Sequence, residues 1–402
     1  MRAVTWHGVG DIRLDDVPDP KIVEPTDAIV KITTSAICGT DLHLVRGTVP
    51  GMSPGTVLGH EAVGEVVEVG HEVRNFSPGD RVVVPSTIGC GYCSYCRAGY
   101  PAMCDNSNPH NSQETAFFGG PRSSGAIDGL QAEYARIPYA YYSLTPVPTE
   151  VSEAQAIACS DIFPTAWFGA RLAEVSEGDT VAVFGAGPVG QLAMLSAYLQ
   201  GAGRVIAVDH HDDRLALARL QHTETINFDA EDPVASIKDM TGGIGVDRVI
   251  DAVGVEAEHP RSGPAVAQAA QREPEFAAER QAVAAQAHPK GDSWVPGDAP
   301  SQALRWAIES VAKAGSVGVV GFYPPTMSLP FGPAFSKNLT IKAGNCNHRR
   351  YLPRLVNMIA EGEADPSVFV TQHEPMADAI AAYEEFDRRE PGWIKVSLDP
   401  MV

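Results

Sequence analysis

Cysteine, threonine and histidine lie close together in Cys38-Gly39-Thr40-Asp41-Leu42-His43, and Gly59-His60-Glu61 follows. The thiolate of Cys38 and the imidazole of His60 are donors suited to a catalytic zinc ion. The Thr40 hydroxyl and the His43 ring beside them can carry a proton. Asp41 has no evident role in this chemistry.

A second cluster, Cys90-x2-Cys93-x2-Cys96-x7-Cys104, has a different character. Four thiolates joined by short spacers can close a tetrahedron around Zn²⁺ and leave no position open to substrate. The intervening residues Gly91, Tyr92, Ser94, Tyr95, Arg97, Ala98 and Gly99 hold a single positive charge, which argues against a nucleic-acid ribbon. The expected role is structural.

Gly185-Ala186-Gly187-Pro188-Val189-Gly190 fits G-x-G-x-x-G, preceded by the apolar run Thr180–Phe184 and followed by a helical pattern. Gly185 permits the tight turn, Gly187 lets backbone N–H groups approach a pyrophosphate, and Gly190 lets helix and strand pack closely. The helix start, Pro188 and Val189, turns partial positive charge toward the phosphates. Asp209 ends the next strand about twenty residues later, where a carboxylate accepts from both ribose hydroxyls and repels a 2′-phosphate. His210, His211, Asp212 and Asp213 follow, with no arginine before Arg214, so NAD is expected over NADP.

The elements that must position these residues divide the chain. From Val4 to about Tyr142 short β segments (Ala28–Ile32, Ala62–Val69, Arg81–Val84) alternate with Gly/Pro turns. After Glu153 the rhythm becomes strand and helix in turn: Thr180–Phe184, Gln191–Leu199, Arg204–Asp209, Arg214–Leu220, Val246–Asp251. That alternation predicts a doubly wound parallel sheet. Residues 255–299, rich in Ala, Gln, Glu and Pro, read as an insertion with a helix at Glu275–Ala287. Beyond it Asp298 or Ser301 is expected to cap a helix with apolar face Leu304, Ile308 and Val311, ended by Gly315 before a strand at Ser316–Val320. The tail from about Leu339 returns to mixed structure and is expected to rejoin the first domain.

Fifty acidic against thirty basic residues give a formal charge of −20 over 402 residues, which disfavours nucleic acid as a partner. No apolar run reaches the ~18–20 residues of a membrane helix, and no signal peptide is visible, so a cytoplasmic chain is expected. Seven cysteines, mostly clustered, favour metal over disulfides.

With these three motifs in this order, the chain resembles the zinc-dependent medium-chain alcohol dehydrogenases over nearly its whole length apart from the insertion. Within that family it is similar to the glutathione-independent formaldehyde dehydrogenase-like branch, through Asp161-Ile162-Phe163-Pro164-Thr165 and the long insertion. The resemblance implies an α/β fold: a mostly-β GroES-like catalytic domain (1–160 with 340–402) and a Rossmann cofactor domain (161–339) carrying the insertion. It implies two Zn²⁺ per chain, NAD, and a small alcohol, aldehyde or ketone as substrate, with a homodimer or homotetramer as the assembly.

Residue by residue, it places Cys38 and His60 as catalytic zinc ligands and Asp161 at the position of the third, where relatives carry Cys or Glu. Cys159 is the alternative; spacing to Thr165, which resembles a nicotinamide-contacting threonine, favours Asp161. Glu61 resembles a carboxylate behind the metal. Thr40 and His43 resemble a proton relay running by way of the cofactor ribose to water, and Lys395 a basic residue that contacts the pyrophosphate. Ser86 falls at a pocket-lining position, with Trp167, Phe168 and Phe118 as candidate apolar walls. His7, His71, His110 and His348 match no motif. If the formaldehyde branch applies, the insertion clamps NAD and the enzyme oxidises or dismutates small aldehydes. A metal-free reductase on the same fold would lack Cys38, His60 and the four-cysteine lobe, all of which are present; a protein that binds zinc and dinucleotide without catalysis would be free to lose the relay and ligands, yet none is missing.

Overall fold

The computed structural model describes residues 1–108 and 114–401; His110 lies outside them. The chain forms two compact units: residues 1–164, 286–295 and 345–402, and residues 165–285 and 296–344.

The first unit is built on strand Ala28–Ile37, which pairs antiparallel with Ala62–Val69, Tyr134–Ile137 and Val396–Asp399. The C-terminal strand therefore joins the N-terminal sheet, and Gln372–Pro375 adds to it in parallel. Register shifts at Ile29/Val30 and Ile32/Thr34 bend the long strand, as bulges do. Its inner face packs Val30, Ile32, Val66, Val82 and Val84 into one core. A second core gathers Leu42, Leu44 and Val45 of helix Gly39–Arg46 with Trp6, Tyr383, Phe386 and Trp294.

Trp294 comes from the expected insertion. Residues 286–295 belong to the first unit, so the reading of 255–299 as wholly part of the cofactor domain is corrected. The Trp294 amide donates to Asp387 Oδ2, whose other oxygen accepts from Arg46 Nε at 2.8 Å. This buried ion pair and the burial of Trp294 hold the C-terminal end of helix Gly39–Arg46.

The second unit is a six-stranded parallel sheet ordered Glu224–Asn227, Arg204–Asp209, Thr180–Phe184, Val246–Asp251, Val311–Val319, Thr340–Ala343. Numbered along this unit the order is 3-2-1-4-5-6, and the direction of winding reverses between Thr180–Phe184 and Val246–Asp251, where such sheets bind ligands beyond the strand ends. Its strands are apolar on both faces because helices cover both; Phe184, Ile206, Val208, Val249 and Val317 lie in the core.

Several local expectations are revised. The insertion helix spans Glu273–Val283, preceded by Val266–Gln271. Helix Gln302–Ser310 has Ser301 at its N-cap, but neither expected side chain caps it: Ser301 Oγ accepts from Arg305 Nε and Asp298 Oδ1 from the His259 amide. The following strand begins at Val311, inside the stretch read as helix, because Val311 pairs with Val246 before the bulge that restores register at Arg248 and Ser316.

Candidate active site

Three separated segments of the first unit bring Cys38, His60, Glu61 and Asp161 together. Their ligand atoms lie within 4.8 Å of one another, and all four side chains are buried. Cys38 is the N-cap of helix Gly39–Arg46. His60 and Glu61 lie on the approach to strand Ala62–Val69, and Asp161 ends helix Glu153–Ser160. Cys38 Sγ is 3.5 Å from Asp161 Oδ2, and His60 Nε2 is 3.7 Å from the same oxygen. Cys159 is fully buried and outside this group, its thiol pushed up by burial alone.

Asp41 has the role that the sequence left open. One carboxylate oxygen accepts from the Cys38 amide at 2.9 Å and the other faces His60 Nδ1 at 3.0 Å. A carboxylate on Nδ1–H leaves Nε2 as the lone-pair nitrogen, directed into the cluster. Gln131 Nε2 reaches Asp41 at 3.4 Å and Tyr383 donates to Gln131 Oε1 at 2.8 Å, so the orienting group is itself held. The signal was present in the sequence: an acid three residues after Cys38, in the first turn of a helix.

His348 was assigned no role, yet its Nε2 lies 2.7 Å from Asp161 Oδ1 and its Nδ1 3.0 Å from Thr87 Oγ1. Nothing in the sequence pairs a histidine with an acid 187 residues away. Burial opposes ionisation of Asp161, but hydrogen bonds and charge from His348 and His60 outweigh it and hold the carboxyl well below its usual range. Burial, with Asp161 and Glu61 adding to it, pushes the Cys38 thiol up.

Lys395 corrects an expectation. It is fully buried, donating to Glu61 Oε1 at 2.6 Å and to the Ile37 carbonyl at 2.9 Å, and its contact is this internal ion pair, not a pyrophosphate. Burial pulls the Lys395 proton off, but the Glu61 carboxylate beside it outweighs burial and raises the lysine above its usual range. A thiol, an imidazole and two carboxylates converge on one point, and Glu61 Oε2 is buried with no hydrogen-bond partner among the described residues. That donor set fits a divalent cation such as zinc.

Thr40 is half-buried on the first turn of its helix. His43 is buried, with Nδ1 2.8 Å from Thr48 Oγ1, which itself donates to the His43 carbonyl at 3.2 Å. Ser86 donates its amide to the Ser160 carbonyl, beside Asp161. Phe118 is a core residue, not a pocket wall. Its neighbour Phe117 stands edge-on to the His60 ring, centroids 6.1 Å apart. Thr165, Trp167 and Phe168 lie on helix Ile162–Leu172, all three in the second unit. His7 pairs with Asp15 at 2.6 Å, and His71 is exposed.

The four cysteines form a second convergent group. Backbone N–H groups of Cys90, Cys93 and Cys96 point at sulfurs of Cys104, Cys90 and Cys93 at 3.2–3.4 Å, and Asn106 Nδ2 lies 3.2 Å from Cys90 Sγ. A hydrogen bond from Cys96 draws the Cys104 thiol down. Donors aimed at sulfur stabilise thiolates, so this set also fits zinc.

In the second unit Gly185 has φ +88°, and a Cβ at Gly190 would collide with the Gly185 carbonyl. Both glycines are required by this turn. The position a Cβ would take at Gly187 is bordered only by Arg214, at 3.7 Å, so backbone is left open at the start of helix Pro188–Leu199. Asp209 accepts from the amides of Ala186, His210 and His211. Burial opposes its ionisation, but Arg214, His211 and these amides hold the carboxyl below its usual range. The open turn and the ionised acid at the winding reversal fit a dinucleotide.

Comparison with known proteins identifies the family. Residues 24–149 match the alcohol dehydrogenase GroES-like domain and residues 188–268 the zinc-binding dehydrogenase domain. An uncharacterised zinc-type alcohol dehydrogenase-like protein of Bacillus subtilis is 36% identical over the full length of both chains. The glutathione-independent formaldehyde dehydrogenase of B. subtilis is 32% identical, covering 96% of this chain and 94% of its own. The alcohol dehydrogenase of Thermus sp. ATN1 superposes with a TM-score of 0.80 at 32% identity, covering 99% of each chain. The chain belongs to the zinc-dependent alcohol dehydrogenase family, a family of oxidoreductases. Among the described residues no helix is long and apolar enough to cross a membrane.

Proposed function

We propose that this protein interconverts small alcohols and their aldehydes or ketones with NAD, using one zinc at Cys38, His60 and Asp161 and a second, structural zinc at Cys90, Cys93, Cys96 and Cys104. The observation that carries the reading is the buried convergence of Cys38, His60 and Asp161 with Glu61 behind them. When bound, zinc supplies a Lewis acid for the substrate oxygen and NAD supplies the hydride acceptor.

The chain's own residues do the rest. Asp41 fixes the His60 tautomer so that Nε2 is the donor atom. The Glu61–Lys395 pair places a negative charge behind the centre without adding a net charge. The Thr40 hydroxyl, at the mouth of the helix that begins with Cys38, receives the alcohol proton. His43 accepts it at Nε2 and releases it to water; because the Thr48 hydroxyl donates to the His43 carbonyl, its oxygen is left to accept from Nδ1–H. Asp209 holds the adenosine ribose hydroxyls and Arg214, beside Gly187, offsets phosphate charge.

The decisive experiment measures zinc content and turnover of a panel of primary and secondary alcohols and aldehydes with NAD and with NADP. Two zincs per chain and NAD-linked oxidation are expected. One zinc per chain with no turnover would defeat the reading, and a clear NADP preference would defeat its cofactor half. The 32% identity to a formaldehyde dehydrogenase favours a second reading, aldehyde dismutation with retained NAD. Turnover without added cofactor would establish that alternative.

A further inference from the structure

Residues 345–350 reach Asp161 through His348. His348 opens helix His348–Ala360, and its Nε2–H donates to Asp161 Oδ1 at 2.7 Å. The other carboxylate oxygen, Oδ2, is the one that faces Cys38 and His60. A carboxylate has two equivalent oxygens, and rotation about its Cβ–Cγ bond would exchange them. A donor on Oδ1 removes that freedom, as partners behind metal ligands commonly do.

The segment carrying His348 is clasped by the four-cysteine lobe. Asn347 Oδ1 accepts from the Ala102 amide at 3.2 Å, two residues before Cys104. The Arg350 guanidinium lies beside Gly99. Arg349 Nε donates to the Tyr142 carbonyl at 2.5 Å, and the Tyr142 ring packs against Gly89 and Gly91 on either side of Cys90; a Cβ at Gly91 would collide with it. Thr87, which faces His348 Nδ1, also lies on the chain leading into the lobe.

We infer that His348 is a positioning residue that selects the oxygen of Asp161 presented to Cys38 and His60, and that the four-cysteine lobe sets the place of His348. The lobe thus supports the catalytic centre as well as its own loop. This rests on the reading of Cys38, His60 and Asp161 as a metal centre.

The test uses the full-length protein with Co²⁺ at the Cys38–His60–Asp161 centre, whose visible d–d absorption reports ligand geometry without any substrate. His348→Ala should weaken metal affinity at this centre about 10–100-fold and shift the d–d bands. Metal at the four-cysteine site should remain, showing that the variant is folded. His348→Gln should restore most of the affinity and spectrum, because its amide nitrogen can stand where Nε2 does. His348→Asn, whose amide reaches only as far as Nδ1, should not. Asn347→Ala should weaken the centre in the wild-type background and have no further effect in His348→Ala.

Wild-type affinity and spectrum in His348→Ala would overturn the positioning role. Complete loss of the centre in both His348→Ala and His348→Gln would also overturn it, by making His348 a ligand in its own right. Additive effects of Asn347→Ala and His348→Ala would overturn the part assigned to the lobe. A wild-type protein that binds no metal at Cys38, His60 and Asp161 would overturn the underlying reading itself.

Discussion

The two cysteine-containing centres of this protein are assembled in opposite ways. The four-cysteine lobe draws all four sulfurs from Cys90 to Cys104, and backbone amides of the same loop point at them. The other centre draws Cys38, His60 and Asp161 from a helix cap, a strand approach and a helix end, and side chains around it hold its imidazole and carboxylates. Asp41 holds His60, His348 holds Asp161, and Lys395 holds Glu61. A closed site of like donors needs only short spacers. A site that must leave a position open to substrate cannot rely on its ligands to fix one another, so the surrounding fold fixes them.

The sharpest way to break this comparison is to remove one ligand from each centre. Asp161→Ala should lower kcat/KM by at least about a thousandfold, since loss of a Lewis acid costs several kcal/mol and each 1.4 kcal/mol is about tenfold. It should lose one metal per chain and keep the other, as elemental analysis would show. Cys93→Ser should instead cost about 4 kcal/mol of stability, in the range of losses that follow removal of a structural metal. Denaturant unfolding measures that loss, and retention of wild-type stability would refute the structural role.

Asp41→Asn retains a neutral acceptor for His60 Nδ1 but loses the charge, so metal affinity at the Cys38 centre should fall about tenfold or more. Equilibrium competition with a chelator reads this directly. Asp209→Ala should leave both metals in place and raise the Kd for NAD about tenfold or more, because hydrogen bonds to a charged group contribute about 1.5–3 kcal/mol. Isothermal titration with NAD and NADP would check it, and an unchanged NAD affinity would remove Asp209 from the site.

The smallest expected effect contrasts two buried acids. Asp161 is held well below its usual pKa by His348 and His60, despite burial. Asp251, equally enclosed, is raised by burial, since its partners are the amides of Val253 and Gly254 and the Tyr323 hydroxyl, none of them cationic. Its folded-state pKa lies above the unfolded value, so the folded state binds this proton more tightly. The associated stability is fully present below the unfolded pKa and is lost as pH rises through the folded one. Asp251→Asn cannot lose it. The Tm of the variant minus that of wild type should therefore increase as pH is raised from about 4 to 7, by about 2 °C for each 1 kcal/mol. A difference that is flat with pH would refute the shift.

Much of the parallel sheet was legible because its strands are local patterns. Thr180–Phe184, Arg204–Asp209 and Val246–Asp251 fall where apolar runs place them. The start of strand Val311–Val319 was not legible, because pairing with Val246 overrides the helical pattern that precedes it. Phe117 and Phe118 show the same limit at one residue. Adjacent side chains in extended chain face opposite ways, and only the surrounding packing puts Phe118 in the core and Phe117 beside His60.

The sequence by itself determined the donor types, the closed four-cysteine loop, the glycine turn with Asp209, and the candidates Cys38, His60 and Asp161. The cysteine loop and the glycine turn depend on residue identity and on spacings short enough for the covalent chain to enforce, whereas Cys38, His60 and Asp161 were candidates through their residue types and the family resemblance. Tertiary structure alone decided that Asp161 and not Cys159 joins the cluster, that Lys395 turns inward to Glu61, and that Asp41 and His348 orient the ligands. Each of those outcomes is a buried polar group finding a partner brought close by folding. Burial makes an unpaired charge costly, but nothing in the linear order says which distant partner will pair with it.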